Sequence, residues 1–267
     1  MSYLKEEDLY ENTIFIVTAD NGPEGNDPSD HKPWRDWIKT TIYDRDYDTL
    51  GDQDSYVYIG TEFAQATASP SHLFKFHMSE GGLRVPLIMS GPGINKGKNH
   101  NFAFVTDIAA TISDIVFDEV DERIIGKSLQ NSLAGSNENN YEDFEAVGLE
   151  VTGNSALFKG NYKIVRNRPP NGSNQWELYN LHEDPGETQD LSKIMPDKLF
   201  ELIEDYDQYA QINGVIELPL DYQWAEEMTV NTFKRNYLPL LLRAVSVIAL
   251  TVFVVIYLRR RWKKTQN

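Results

Sequence analysis

Residues 13–23 read TIFIVTADNGP. Thr13 to Thr18 is an uncharged, β-branched run of the kind that forms a buried strand. It stops at Asp20, Asn21, Gly22 and Pro23, a turn-forming set. A strand ending in such a turn places polar side chains at the carboxyl edge of a sheet, where open α/β sheets assemble their sites. Upstream, residues 4–11 read as the end of a helix. Downstream, residues 83–90 (LRVPLIMS) predict a second buried strand, closed by the turn Gly91-Pro92-Gly93. Residues 106–117 (TDIAATISDIVF) carry apolar positions at helical spacing with Asp107 near the start, which predicts a helix packed on that sheet. Between these elements, residues 23–72 are polar, rich in Asp, Tyr and Trp, and without a sustained period; they read as a long functional loop or insertion.

From Gly126 to Asn140 the chain turns Gly, Ser and Asn rich, which marks a boundary. Strand-like pieces follow at 144–151, 155–158, 161–166 and 175–181, separated by turns, and residues 197–211 form an amphipathic pattern. A small antiparallel sheet of hairpins with one helix is the expected arrangement. No internal repeat is present at periods of 20 to 50 residues. Ala244 to Leu258 is free of charge, and with the residues back to Tyr237 the run is about 22 residues, or roughly 33 Å of helix. A core helix or a surface helix would fit that length too. Apolar residues on every face and the basic residues Arg259, Arg260, Arg261, Lys263 and Lys264 favour a membrane span. The expected divisions are 1–130, 131–232, the span 233–258 and a basic tail 259–267.

The chain of 267 residues carries a net charge of −16, which argues against nucleic acid as a partner because phosphate binding needs a basic surface. It has no cysteine, hence no disulfide, thiolate zinc site or thiol nucleophile. The first residues lack a positive segment followed by an apolar core, so a signal peptide is not expected there. Two groups of residues suit chemistry. Asp20 and Asn21 offer adjacent side-chain oxygens where the turn breaks strand alternation, a fit for a hard cation, although Asp-Asn-Gly is also an ordinary turn. Lys75 lies on the segment leading into Glu80-Gly81-Gly82, where its ammonium would hold a tetrahedral dianion; a lone lysine is more often a solvated surface residue.

Together these segments resemble the sulfatase family, and its long bacterial aryl and alkyl sulfatases in particular. The resemblance runs from the strand into Asp20-Asn21-Gly22 through residues 55–60 (SYVYIG), 63–66 (FAQA), Lys75, 80–86 (EGGLRVP) and 126–129 (GKSL). It continues through 148–165 (GLEVTGNSALFKGNYKIV) and 177–188 (ELYNLHEDPGET). It implies a partial α/β, alkaline-phosphatase-like domain, followed by a small antiparallel sheet with a helix and then one C-terminal transmembrane helix. It further implies that Asp20 and Asn21 are calcium ligands, that Lys75 binds the sulfate of a sulfate ester substrate, and that Glu80, Gly81, Gly82, Arg84 and Pro86 shape the site. The later segments match the family's C-terminal sheet.

Family members make formylglycine from Cys or Ser in a Cys/Ser-x-Pro-x-Arg motif. The Pro-x-Arg in this sequence is Pro33-Trp34-Arg35, with His31 two positions before the proline, so formylglycine is not expected in this chain. The family's first calcium-binding aspartates and its assisting histidines also belong upstream of Asp20. The resemblance therefore implies a sulfuric ester hydrolase whose nucleophile half lies elsewhere, inactive as this chain alone. Two alternatives stand beside it. One is a non-catalytic, membrane-tethered remnant that binds a sulfated ligand or a protein. The other is a phosphohydrolase of the same superfamily, in which histidine is common where Asn21 stands. The charge asymmetry around the apolar span puts the basic tail in the cytoplasm and the soluble region on the periplasmic or extracellular side.

Overall fold

A computed structural model gives the fold and describes residues 1–25, 46–55, 57–222, 227 and 230–265. The Pro33-Trp34-Arg35 segment lies outside the described residues. The chain forms two compact units, 1–216 and 217–267.

In the first unit, α1 (Ser2–Glu6) and a 3-10 turn lead into β1 (Phe15–Thr18). Then come α2 (Gly60–Ala68), the short α3 (Glu80–Leu83) and β2 (Leu87–Ser90). The two strands pair antiparallel, with Phe15 opposite Ser90 and Thr18 opposite Leu87. Their predicted burial is not met: the cross-strand partners Val17 and Ile88 are each 60% exposed. Among the described residues this sheet has two strands, and the face that carries Val17 and Ile88 stays largely open.

Helix α4 (Val105–Phe117) is anchored by Asp107, which is fully buried. The carboxylate accepts from the N–H of Phe104 (2.7 Å), the N–H of Lys127 (2.8 Å) and the hydroxyl of Tyr141 (2.6 Å). Burial pushes the Tyr141 phenol up, and the neighbouring Asp107 charge adds to it. Thr111 Oγ1 accepts the Leu129 N–H at 2.9 Å. Gly126 permits this strap, because a Cβ there would lie 2.2 Å from the carbonyl oxygen of Thr106. Opposite its buried Asp107, Ala110 and Thr111, α4 leaves Ile112 and Val116 exposed, and Phe117 is exposed at its C-terminal end.

After α5 (Gln130–Leu133) come β3 (Ala146–Val151), β4 (Asn154–Lys159), β5 (Tyr162–Arg166) and β6 (Glu177–Asn180). They form one antiparallel sheet in sequence order, as expected. The β3–β4 hairpin closes through Thr152 and Gly153, both at positive φ, which is the backbone of a type I′ turn. One face of the sheet packs Leu157, Ile164 and Leu178 against Leu202 and Tyr206 of α6 (Pro196–Asn213). Burying each of the leucine and isoleucine side chains stabilises by about 1.5–3 kcal/mol. Helix α6 starts with Pro196 in its first turn and ends at Gly214 in the left-handed region, the usual asymmetry of helix ends. The opposite face packs Ala156, Val165 and Tyr179 against Met78, with Leu83 alongside. The small sheet thus touches the segment that carries Lys75.

In the second unit, a π turn at Phe233–Tyr237 leads into α7 (Leu238–Thr265). Pro239 has no N–H to give the carbonyl four residues earlier, and the helix widens where that bond is missing. Among the described residues this is the one helix long and apolar enough to cross a membrane, spanning Val230–Trp262. Its hydroxyls are satisfied internally: Ser246 donates to the Leu242 carbonyl and Thr251 to that of Val247, each at 2.8 Å.

Candidate functional site

Beyond β1 the chain turns at Asp20 and Asn21, and the Asn21 N–H donates to Asp20 Oδ1 at 3.1 Å. Two backbone bonds then tie this turn to the Lys75 segment. The Gly22 N–H donates to the Gly82 carbonyl at 2.9 Å, and the Lys75 N–H donates to the Pro23 carbonyl at 3.0 Å. Gly22 is required by the approach, since a Cβ on it would lie 1.8 Å from the carbonyl oxygen of Gly81. The chain around Asp20 and Asn21 and the chain around Lys75, 54 residues apart from Asn21 in sequence, are therefore joined directly. The Lys75 ammonium pairs with Glu24 at 2.9 Å, and the lysine side chain is 31% exposed.

Lys75 sits between Leu73 (φ 59°) and Phe76 (φ 74°), two bulky residues in the left-handed region. Such a path is unfavourable unless its surroundings impose it. On the upstream side Gln65 of α2 holds it: its Oε1 accepts the Leu73 N–H at 2.8 Å and its Nε2 donates to the Ser71 carbonyl at 3.0 Å. On the downstream side the small sheet and the loop after β5 hold it. Asn154 Nδ2 donates to the Phe76 carbonyl at 2.7 Å, and Asn167 Oδ1 accepts the Met78 N–H at 2.9 Å while its Nδ2 donates to Ser79 Oγ at 2.9 Å. His77 Nδ1 donates to the Phe74 carbonyl at 3.0 Å, leaving Nε2 to accept from Asn171 Nδ2 at 3.0 Å. Burial holds the His77 imidazole below its usual range, in keeping with this neutral tautomer.

Beneath the turn lies a buried ion group. Lys163, on β5, is 0% exposed and meets Glu80 at 2.9 Å and Glu187 at 2.7 Å. Glu187 also accepts the Glu80 N–H at 2.8 Å, so one carboxylate serves both the lysine and the first turn of α3. A charge taken so fully out of water persists only when paired and hydrogen-bonded. Sequence reading had singled out Glu80 but not Lys163, Glu187 or the asparagines. A lysine inside the apolar run Tyr162-Lys163-Ile164-Val165 was the available signal.

Asp20 and Asn21 offer hard oxygen donors, which suit calcium better than zinc. Among the described residues no three His, Cys, Asp or Glu side chains gather into a metal-binding group. Two donors make a part of the six to eight that calcium takes.

Residues 1–216 thus join a strand-end turn to a lysine loop and continue into a helix-backed antiparallel sheet. The chain belongs to the sulfatase family: the Sulfatase model matches residues 1–118, and the model for N-sulphoglucosamine sulphohydrolase, C-terminal, matches residues 71–208. An uncharacterized sulfatase of Schizosaccharomyces pombe is 32% identical over 243 residues, covering 83% of this chain and 42% of that protein. Among solved structures, Ps i-CgsB superposes with a TM-score of 0.57 at 17% identity, covering 88% of this chain and 44% of its own. BT4656 superposes with a TM-score of 0.50 at 17% identity, covering 79% of this chain and 36% of its own. The chain thus spans less than half the length of these relatives.

Proposed function

We propose that this chain supplies the second half of a calcium-dependent sulfuric ester hydrolase site, with Asp20 and Asn21 as calcium ligands and Lys75 as the sulfate-binding cation. The observation that carries this is the pair of backbone bonds joining the Asp20–Asn21 turn to the Lys75 loop. Asp20 and Asn21 would hold the calcium, which would supply Lewis-acid polarisation of sulfate oxygens when bound. Lys75 donates its N–H groups to the sulfate, which takes the place that Glu24 holds beside the ammonium. Asn21 favours this reading over a phosphohydrolase, because an amide oxygen suits calcium and a histidine there would suit zinc. BT4656 is seen in complex with its substrate D-glucosamine-2-N,6-O-disulfate, and Ps i-CgsB with k-i-k-neocarrahexaose, so sulfated carbohydrates are the first ester class to assay.

The nucleophile and the remaining calcium ligands come, in this reading, from a further α/β portion that covers the open faces of β1–β2 and α4. The exposed Val17, Ile88, Val116 and Phe117 support such a cover. The chain alone should not hydrolyse aryl sulfates and should bind calcium weakly in calorimetry. A chimera joining it to the N-terminal part of the Schizosaccharomyces pombe relative, made in a host that generates formylglycine, should show calcium-dependent hydrolysis that Lys75→Ala abolishes. Turnover by the chain alone, or a chimera indifferent to Lys75→Ala, would overturn the proposal. The apolar helix anchors the protein, with the basic tail cytoplasmic and the soluble region outside. A reporter phosphatase fused after Asn267 should then be silent in intact cells; activity there reverses the orientation.

A further inference from the structure

We infer that Asn154, Asn167 and Asn171 are positioning residues for Lys75. The inference rests on the sulfate-binding reading of that lysine. Three observations converge. The asparagines lie on β4 and on the loop between β5 and β6, far from Lys75 in sequence, yet they engage the four consecutive residues that follow it. Asn154 takes the Phe76 carbonyl, Asn171 the His77 ring, and Asn167 both the Met78 N–H and the Ser79 hydroxyl. The path they hold is one the chain would not choose, with Phe76 at a φ of 74° directly after Lys75. And the bonds are strong where it matters: Asn154 and Asn167 are buried, so each loop group they satisfy would otherwise lose its partner away from water.

The physical consequence is a division of labour between the two parts of unit one. The lysine stem has four rotatable carbons, and its ammonium is aimed only as well as its Cα is fixed. On the near side the Lys75 N–H is held by Pro23. On the far side the asparagine contacts oppose relaxation of Phe76 out of the left-handed region, together with the bonds from the His77 N–H and Nδ1 to the Phe74 carbonyl and the packing of Met78 against the small sheet. Releasing them lets the loop relax, and Lys75 then leaves Glu24 and the Asp20–Asn21 turn. The C-terminal sheet, which bears none of the proposed ligands, thereby sets the aim of the cation.

Lysine acylation read by mass spectrometry on the full chain tests this, because the protein carries its own controls. Lys163 is fully buried and reports global unfolding, while Lys198 lies on α6 away from the loop. In Asn167→Ala the acylation rate of Lys75 should rise about threefold or more while Lys163 stays unmodified and Lys198 keeps its rate. Asn167→Asp retains an acceptor for Met78 and a partner for Ser79, and should return Lys75 to near the wild-type rate. An unchanged Lys75 rate in Asn167→Ala with Lys163 still protected would overturn the inference. If Asn167→Ala exposes Lys163, the exposed Asn171→Ala decides, supporting the inference by a faster Lys75 and refuting it by an unchanged one. Slowing of wild-type Lys75 acylation by inorganic sulfate, but not by chloride at equal ionic strength, reports on the sulfate-binding reading by itself, so the two ideas can fail separately.

Discussion

The four-stranded sheet and the β1–β2 pair are built from similarly apolar strands but live in different surroundings. Every residue of β4 from Asn154 to Phe158 is buried, with α6 on one face and the Met78–Leu83 segment on the other. In β1 and β2 no residue reaches full burial. The contrast separates two uses of hydrophobic sequence. One region encloses its own core, so its stability is its own. The other presents apolar surface whose stabilising value is realised only when something lies against it.

That contrast is open to attack at four points. Lys163→Met should have the largest effect, since it leaves Glu80 and Glu187 buried without their cation. A loss of about 3–5 kcal/mol in denaturant unfolding is expected, and a neutral result would mean that the ion group is dispensable to the enclosed region. Leu157→Ala should cost about 2–5 kcal/mol through the cavity it leaves between the sheet and α6. His77 gives a pH signature. Its folded-state value lies below the unfolded one because burial disfavours the imidazolium. Its contribution is therefore complete above about pH 6.5 and is lost as pH falls through the folded value, with a slope of at most about 1.4 kcal/mol per pH unit. The difference in stability between wild type and His77→Gln should shrink on acidification from pH 7.5 to 5; a constant difference would remove the His77–Asn171 contact from the account. Ile88→Ala should be the smallest, within about 0.5 kcal/mol in this chain alone. A cost equal to that of Leu157→Ala would abolish the distinction between the two regions.

Much of this organisation was legible in the sequence where punctuation is local. The hairpin strands and α4 and α6 fell within a few residues of their predicted bounds, because turn residues and a 3.6-residue apolar period are both short-range signals. The turn after β1 was readable from Asp20-Asn21-Gly22-Pro23 itself, whereas the roles expected of Asp20, Asn21 and Lys75 came only through family resemblance. Helix α2 was missed: of its residues only Ala64 is buried, so it carries no apolar stripe to find. The burial expected of residues 13–18 and 83–90 was misjudged for a related reason, since composition states what a strand prefers and not whether a layer is present. The grouping of Lys163 with Glu80 and Glu187 was out of reach, because tertiary packing brings the three together across 83 and 24 residues of sequence. The asparagines that engage residues 76–79 were invisible for the same reason.

The β1–β2 pair has one further property. Each strand has its partner on one side, and among the described residues no third strand lies beyond either. Among the described residues both outer rims thus leave ladder hydrogen-bonding groups without a neighbouring strand, next to exposed valine and isoleucine side chains. In a concentrated preparation of this chain the most available extended segment belongs to another copy. Self-association through these rims, growing with concentration and suppressed by a charged substitution at Val17 or Ile88, would set the working limits of the purified protein well before its chemistry does.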